Sequence, residues 1–380
     1  MTGAGTGRRL RTVSDLLSVL DEIRAEAAAR DSDPGFPGAP FKALAEVGIL
    51  AMPAPHAASK TGRLAPFSEE WRVLRAVARA DASVGRILDG HLNGVERLAV
   101  LAPEPLRSDE LEAVSTGELL LGVWGADPIP GEGGPASLVD TTDGPTIDGV
   151  KTFCSGSTGI DRALVAVRAP ETEGPGPPLL VYVALDESVE VDEGWFRGAG
   201  MRASESHRVV FHRTPVLAVL GERGELVREP YFSRDAVRTA VTWAGIADSA
   251  VNAALDILAA KSGGVPDDIV SLSAGKMLAA QGTMDRWLEY AARYADTNPE
   301  DSMAPFSTGL RESIAAACRS ILDEAARAVG SHPFAVAGNL DRARRDLELF
   351  LLQHRLEPAL ARAGRQEIQT RMTEDDDASG

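Results

Sequence analysis

Ile147-Asp-Gly-Val-Lys-Thr-Phe-Cys-Ser-Gly156 is the stretch on which the reading of this chain turns. Asp148-Gly149 marks a turn, because glycine takes positive φ without a Cβ clash. The β-branched and aromatic residues that follow read as a strand. Side chains alternate across a strand, so Phe153 and Ser155 are expected on one face, an aromatic beside a hydroxyl. The stretch lies within a Gly-, Pro- and Thr-rich region running from Glu118 to about Leu220. Leu164-Val-Ala-Val, Leu179-Leu-Val-Tyr-Val-Ala-Leu and Val209-Val-Phe are its other clear strands.

On both sides the pattern becomes helical. Val13 to Arg24, Phe41 to Leu50, Trp71 to Ala80 and His91 to Leu101 repeat apolar residues at three- and four-residue steps. After Arg228 the same period predicts helices at 235–260, 268–295, 308–329 and 339–363. Four helices in sequence predict an antiparallel bundle. The expected architecture is α+β: an N-terminal helical domain (1–117), a central β-barrel domain (118–222), a C-terminal antiparallel four-helix bundle (223–367) and a disordered acidic tail (368–380).

Bulk properties narrow the function classes. The 380 residues are 44% hydrophobic and 25% charged, ordinary for a globular chain. A net charge of −17 argues against nucleic acid or an anionic membrane as main partner, since both need a basic footprint. The only two cysteines, Cys154 and Cys318, show neither metal-ligand spacing nor a disulfide framework. With no apolar leader and no run of about 18 apolar residues, a cytoplasmic location is expected.

Five segments, in order, resemble the acyl-CoA dehydrogenase superfamily. They are Phe41 to Pro53, Arg79-Ala-Asp-Ala-Ser-Val84, the opening stretch Ile147 to Gly156, Gly200-Met-Arg-Ala-Ser-Glu-Ser-His-Arg-Val-Val-Phe211, and the pair Asp323 to Gly330 with Leu340 to Asp346. The resemblance covers roughly residues 40 to 365 and implies a flavin cofactor, FAD or FMN. It places Phe153 at the ring-facing aromatic position and Ser155 at the hydroxyl near flavin N5, with Gly156 next to it. Trp124 is read as a ring neighbour or core residue, and Ala126 as a backbone contact to the flavin pyrimidine. Ala126-Asp-Pro-Ile-Pro-Gly-Glu-Gly-Gly134 departs from the family's Thr-Glu-Pro-x-x-Gly-Ser-Asp run, keeping only the acid-proline pair. Lys261-Ser-Gly-Gly-Val-Pro-Asp-Asp268 stands where dehydrogenases have an Arg-x-x-Phe-Gly segment for FAD's diphosphate; its two carboxylates would repel an anion.

Dehydrogenation needs a carboxylate to remove the α-proton. Counting along the last hairpin puts His354 at that position, and counting back from Gly245-Ile246 makes Asp235 the alternative base. Phe153-Cys-Ser-Gly156 with a late histidine is similar to the dibenzothiophene- and phenol-type flavin monooxygenases of this fold. A histidine there donates a proton or orients a substrate hydroxyl near neutral pH. The same branch makes His91 a pocket residue.

The sequence therefore points to a flavin-dependent oxidoreductase acting on a small organic molecule, of monooxygenase type. The alternatives are an acyl-CoA dehydrogenase using Asp235, and a non-catalytic subunit of a hetero-oligomer. Expected partners are a second copy of the chain, as dimer or tetramer, and a flavin reductase. No metal, nucleic acid or membrane partner is expected.

Overall fold

The computed structural model describes residues 13–169, 176–353 and 355–377. Five helices come first: α1 (Val13–Ser32), α2 (Gly38–Glu46), α3 (Phe67–Ala80), α4 (Ala82–Leu101) and α5 (Leu106–Thr116). Helix α4 starts well before the expected His91, one residue after α3 ends. The break is made by Asp81, which is extended (φ −154°, ψ 122°) and whose carboxylate accepts from Ser83 N (2.9 Å) and Val84 N (3.1 Å). That is a side-chain N-cap, satisfying donors that the first turn leaves free.

Seven strands follow: β1 (Leu121–Trp124), β2 (Ser137–Thr141), β3 (Gly144–Cys154), β4 (Arg162–Val167), β5 (Leu179–Ala184), β6 (Val189–Asp192) and β7 (His207–Val219). They form one mixed sheet in the order β1-β4-β5-β7-β3-β2, with β6 paired to β7. Among the described residues β1 and β4 form the one parallel ladder; the ladders β2–β3, β3–β7, β4–β5, β5–β7 and β6–β7 are antiparallel. The expected barrel is thus a sheet with β1 and β2 at its edges. Leu138 N to Arg168 O and Arg168 N to Ala136 O, both 2.9 Å, stitch the start of β2 to the end of β4.

The remaining helices are α6 (Tyr231–Lys261), α7 (Asp268–Thr297), α8 (Ala304–Val329), the short α9 (His332–Ala335), α10 (Asn339–Phe350) and α11 (Glu357–Asp377). Helices α6, α7 and α8 pack on one another, and α10 packs on α6. The expected last helix, 339–363, is interrupted: α10 stops at Phe350 and α11 restarts at Glu357. Helix α11 extends into the stretch expected to be disordered. Its Ala, Arg, Glu and Gln residues have high helix propensity, and Arg371 pairs with Glu367 one turn away at 2.7 Å.

Two helices lie at the centre. Every residue of α4 from Ala82 to Leu98 is buried except Arg86, and α6 is buried from Val237 to Asp248. Helix α3 crosses both at small residues. A Cβ on Gly245 would come within 2.4 Å of Arg75 O, and one on Gly85 within 2.6 Å of Ala78 Cα. Close backbone approach requires glycine at both crossings.

Candidate flavin site

Strand β3 carries the site residues to the sheet's end. Lys151, 2% exposed, donates to Asp127 Oδ1 at 2.7 Å and to Gly125 O at 3.3 Å, while Thr152 N donates to Ala126 O at 3.1 Å. The segment 125–128 is thereby laid along β3, with Ala126 exposed and its carbonyl engaged. The β3–β7 register then shifts between Lys151 and Cys154.

Phe153 sits in that irregularity with φ 53°. Strand alternation therefore does not govern it, and the expectation of a shared strand face with Ser155 is corrected: β3 ends at Cys154 and Ser155 lies in the turn beyond. The bulge turns Phe153 outward, 56% exposed, its ring edge-on to Trp195 at 4.9 Å and 81°. Trp195 Nε1 donates to Glu132 Oε1 at 3.1 Å, which fixes the indole. Trp195 had no signal in the sequence, since it follows β6 in an irregular segment.

The Ser155 hydroxyl is 2.9 Å from Ser206 Oγ, which is 2.8 Å from Ser204 Oγ. Gly156, at φ 77°, donates its N–H to Ser204 O at 2.8 Å. Ser204 and Ser206 belong to a stretch quoted for its resemblance, yet their link to Ser155 spans about fifty residues and becomes visible only after folding.

Trp124 is corrected to a buried brace. It is 2% exposed, packs on Phe211 at 6.4 Å, and donates Nε1–H to Ser155 O at 3.2 Å. It positions the Ser155 backbone from within and has no surface to offer a ring.

His91 is likewise corrected from pocket residue to structural residue. It is 0% exposed; its Nδ1 accepts from Leu121 N at 3.0 Å, so its Nε2 carries the proton donated to Leu50 O at 3.0 Å. Burial pushes the imidazole down to about 4, so it is neutral at pH 7.

Asp235 is held by two guanidinium groups. Arg97 donates to Oδ2, and Arg238 Nη1 lies 3.5 Å from Oδ1. Burial pushes this carboxyl up to about 6 against the pull of both arginines. Its oxygens serve as counter-charges in a buried cluster, at the position that the sequence offers as the alternative base. Glu96 and Glu70 complete that cluster with Arg63, Arg234 and Arg238, joining α3, α4 and α6.

Lys261 donates to Val329 O at 2.8 Å and closes the end of α8. Asp267 accepts from Ile269 N at 2.8 Å and caps α7. The 261–268 loop therefore commits its one lysine to the backbone. His354 lies outside the described residues. Among the described residues no three His, Cys, Asp or Glu side chains gather as a metal site, and no helix is long and apolar enough to cross a membrane.

An outward aromatic pair beside a turn hydroxyl fits the plane and edge of an isoalloxazine ring. Comparison with solved structures agrees with the architecture. FMN-bound TdsC from Paenibacillus sp. A11-2, a dibenzothiophene monooxygenase, superposes with TM-score 0.80 at 19% identity, covering 94% of this chain and 97% of that one. A nitrososynthase from Micromonospora carbonacea var. africana gives 0.78 at 23% identity, covering 95% and 98%. The chain has the acyl-CoA dehydrogenase fold. No family model matches the sequence. The amino sugar nitrososynthase RubN8 from Streptomyces rubradiris is 30% identical over 214 residues, which is 53% of this chain and 50% of RubN8. The match thus spans about half the length of that curated relative. In this fold the Phe153–Trp195 pair and Ser155 lie at the end of β3, where the resemblance expects the flavin.

Proposed function

We propose that the protein is a flavin-dependent oxidoreductase of monooxygenase type, using reduced FMN to oxidise a small organic molecule. The observation that carries this reading is the Phe153–Trp195 pair, turned outward by a strained bulge beside the Ser155 hydroxyl. A half-exposed aromatic held at positive φ costs stability and is explained by a planar ligand. FMN is preferred to FAD because Lys261, the one cation of its loop, is engaged with Val329 O, and the same loop carries the carboxylates Asp267 and Asp268. The FMN bound by TdsC supports the same choice.

When bound, reduced flavin would supply two electrons to dioxygen, one oxygen atom passing to the substrate and the other leaving as water. Phe153 and Trp195 would wall the ring and Ser155 would donate at its edge, with His354 kept from the sequence as the proton donor. The dehydrogenase reading loses ground because Asp235 is already paired with Arg97 and Arg238. The RubN8 relationship favours an amine nitrogen on a sugar as the oxidised group. Exposed apolar side chains at Val265, in the loop before α7, and at Ile269 and Leu272, in its first turns, support assembly of copies as a dimer or tetramer, which solution mass would test.

The test is titration of the purified protein with FMN and FAD, followed by oxygen uptake with a flavin reductase and an amino-sugar nucleotide. FMN should bind at least tenfold more tightly than FAD, and His354→Ala should keep flavin binding while losing substrate oxidation. A protein that takes up neither flavin is the non-catalytic subunit instead. Flavin reduction by an acyl thioester would refute the monooxygenase assignment.

A further inference from the structure

We infer that Ser206 and Ser204 are positioning residues, which fix the Ser155 hydroxyl as a hydrogen-bond donor directed outward at the flavin edge. This inference rests on the flavin reading above.

The three hydroxyls form a chain with spacings of 2.8 Å (Ser204 to Ser206) and 2.9 Å (Ser206 to Ser155). The chain leads inward, since Ser204 is 1% exposed and Ser206 6%, whereas Ser155 is half-buried. Oxygen positions alone leave either member of each pair as donor, but the inner end decides the direction. Among the described residues, Ser206 Oγ is the one hydrogen-bond partner of Ser204 Oγ. If Ser206 donated inward, the Ser204 proton would be buried without an acceptor, the costlier arrangement. With Ser204 donating, Ser206 accepts and passes its own proton to Ser155. Ser155 then accepts from within, and its O–H is free to donate outward. A serine alone would rotate among three staggered wells and act as donor or acceptor.

The backbone holds this chain in place at some strain. Of the four described non-glycine residues with positive φ, three surround it: Phe153 (53°), Met201 (55°) and Glu205 (48°). Met201 and Glu205 flank the 3-10 turn Arg202–Ser204 that presents the inner serine. Met201 N donates to Asp346 Oδ1 of α10 at 2.5 Å, and Ser157 N donates to Glu205 O at 3.2 Å. Such positions persist where surrounding contacts over-determine them. Here those contacts set the spacing of the chain.

The experiment is titration of the full-length protein with oxidised FMN, read by flavin fluorescence and by the flavin's visible absorption bands. Ser155→Ala and Ser206→Ala should each weaken binding about fivefold, comparable to one oriented hydrogen bond, and shift the bands alike. In the Ser155→Ala background, Ser206→Ala should add less than about twofold, because its effect passes through Ser155. Ser206→Thr, which keeps the hydroxyl, should restore affinity and spectrum. Ser204→Ala gives a second route at the inner end, with a smaller loss in the same direction. The inference is overturned if Ser206→Ala binds FMN with wild-type affinity and spectrum, or if its effect multiplies with that of Ser155→Ala. Wild-type protein that takes up no FMN overturns the flavin reading, and this inference with it.

Discussion

Replacing Glu96 by glutamine removes one negative charge from a buried cluster of ion pairs while keeping the side chain's shape. The Glu96 carboxylate is 2.7 Å from Arg63 Nη1, 2.9 Å from Arg234 Nη1 and 2.7 Å from Arg238 Nη1, and 5% of the residue is exposed. Arg63, Arg97, Arg234 and Arg238 face Glu70, Glu96 and Asp235, so the cluster carries a net charge of +1 and the variant +2. Removing one partner of a buried ion pair costs about 3–5 kcal/mol, chiefly by leaving charge uncompensated. We expect about 4 kcal/mol here, a large share of the roughly 5–15 kcal/mol that holds a domain folded. Urea unfolding followed by circular dichroism at pH 7 should show it, with a melting midpoint lower by at least about 5 °C. Adding Arg234→Met to Glu96→Gln restores the charge balance and should recover more than half of the loss. Burial opposes ionisation of Glu96, but Arg238, Arg63 and Arg234 hold its carboxyl well below the usual carboxylate range. Its folded-state affinity for protons is thus the lower one, so its contribution is present above about pH 4.5 and lost on acidification. The gap between wild type and variant should close below that pH. A loss under about 1 kcal/mol at pH 7, or a double variant as unstable as the sum of the singles, would refute the electrostatic account.

Two further outcomes follow from the site. Phe153→Gly relieves the positive φ while removing half-buried ring area, so stability should change by less than about 1 kcal/mol, whereas FMN affinity should fall about tenfold. Unchanged FMN affinity would remove Phe153 from the ring wall. His91 is neutral in the fold because burial pushes it down to about 4, whereas the unfolded chain protonates near 6.5. The unfolded state therefore binds the extra proton between these values, and relative to His91→Gln the wild type should lose roughly 3 kcal/mol as pH falls from 6.5 to 4. A pH-independent difference would mean that His91 is not buried neutral.

Much of the site's framework was readable before folding was considered. Asp148-Gly149, the β-branched runs and the helical period on either side place Phe153 and Ser155 at the end of a strand between helical segments. Their geometry was not readable from alternation, because the bulge after Lys151 breaks the two-residue period on which that reading depends. Trp124 and His91 illustrate the same limit. A single aromatic or imidazole carries no sign of burial, and both proved to be satisfied by backbone partners from distant segments. Asp235 has the spacing of a base, yet its neighbours in space, Arg97 on α4 and Arg238 one turn along α6, make it a counter-ion.

Local sequence by itself determined the order of elements, the strand that ends near Gly156 and the acidic character of the loop after Lys261. These depend on propensity, periodicity and charge, which act between near neighbours along the chain. Only the tertiary structure decided which polar groups are free to act. Hydrogen-bond and ion-pair satisfaction is settled between α4 and α6, between β3 and β7, and between the 3-10 turn and α10, where residues tens to more than a hundred positions apart meet in a low-dielectric interior that leaves no polar group uncommitted without cost.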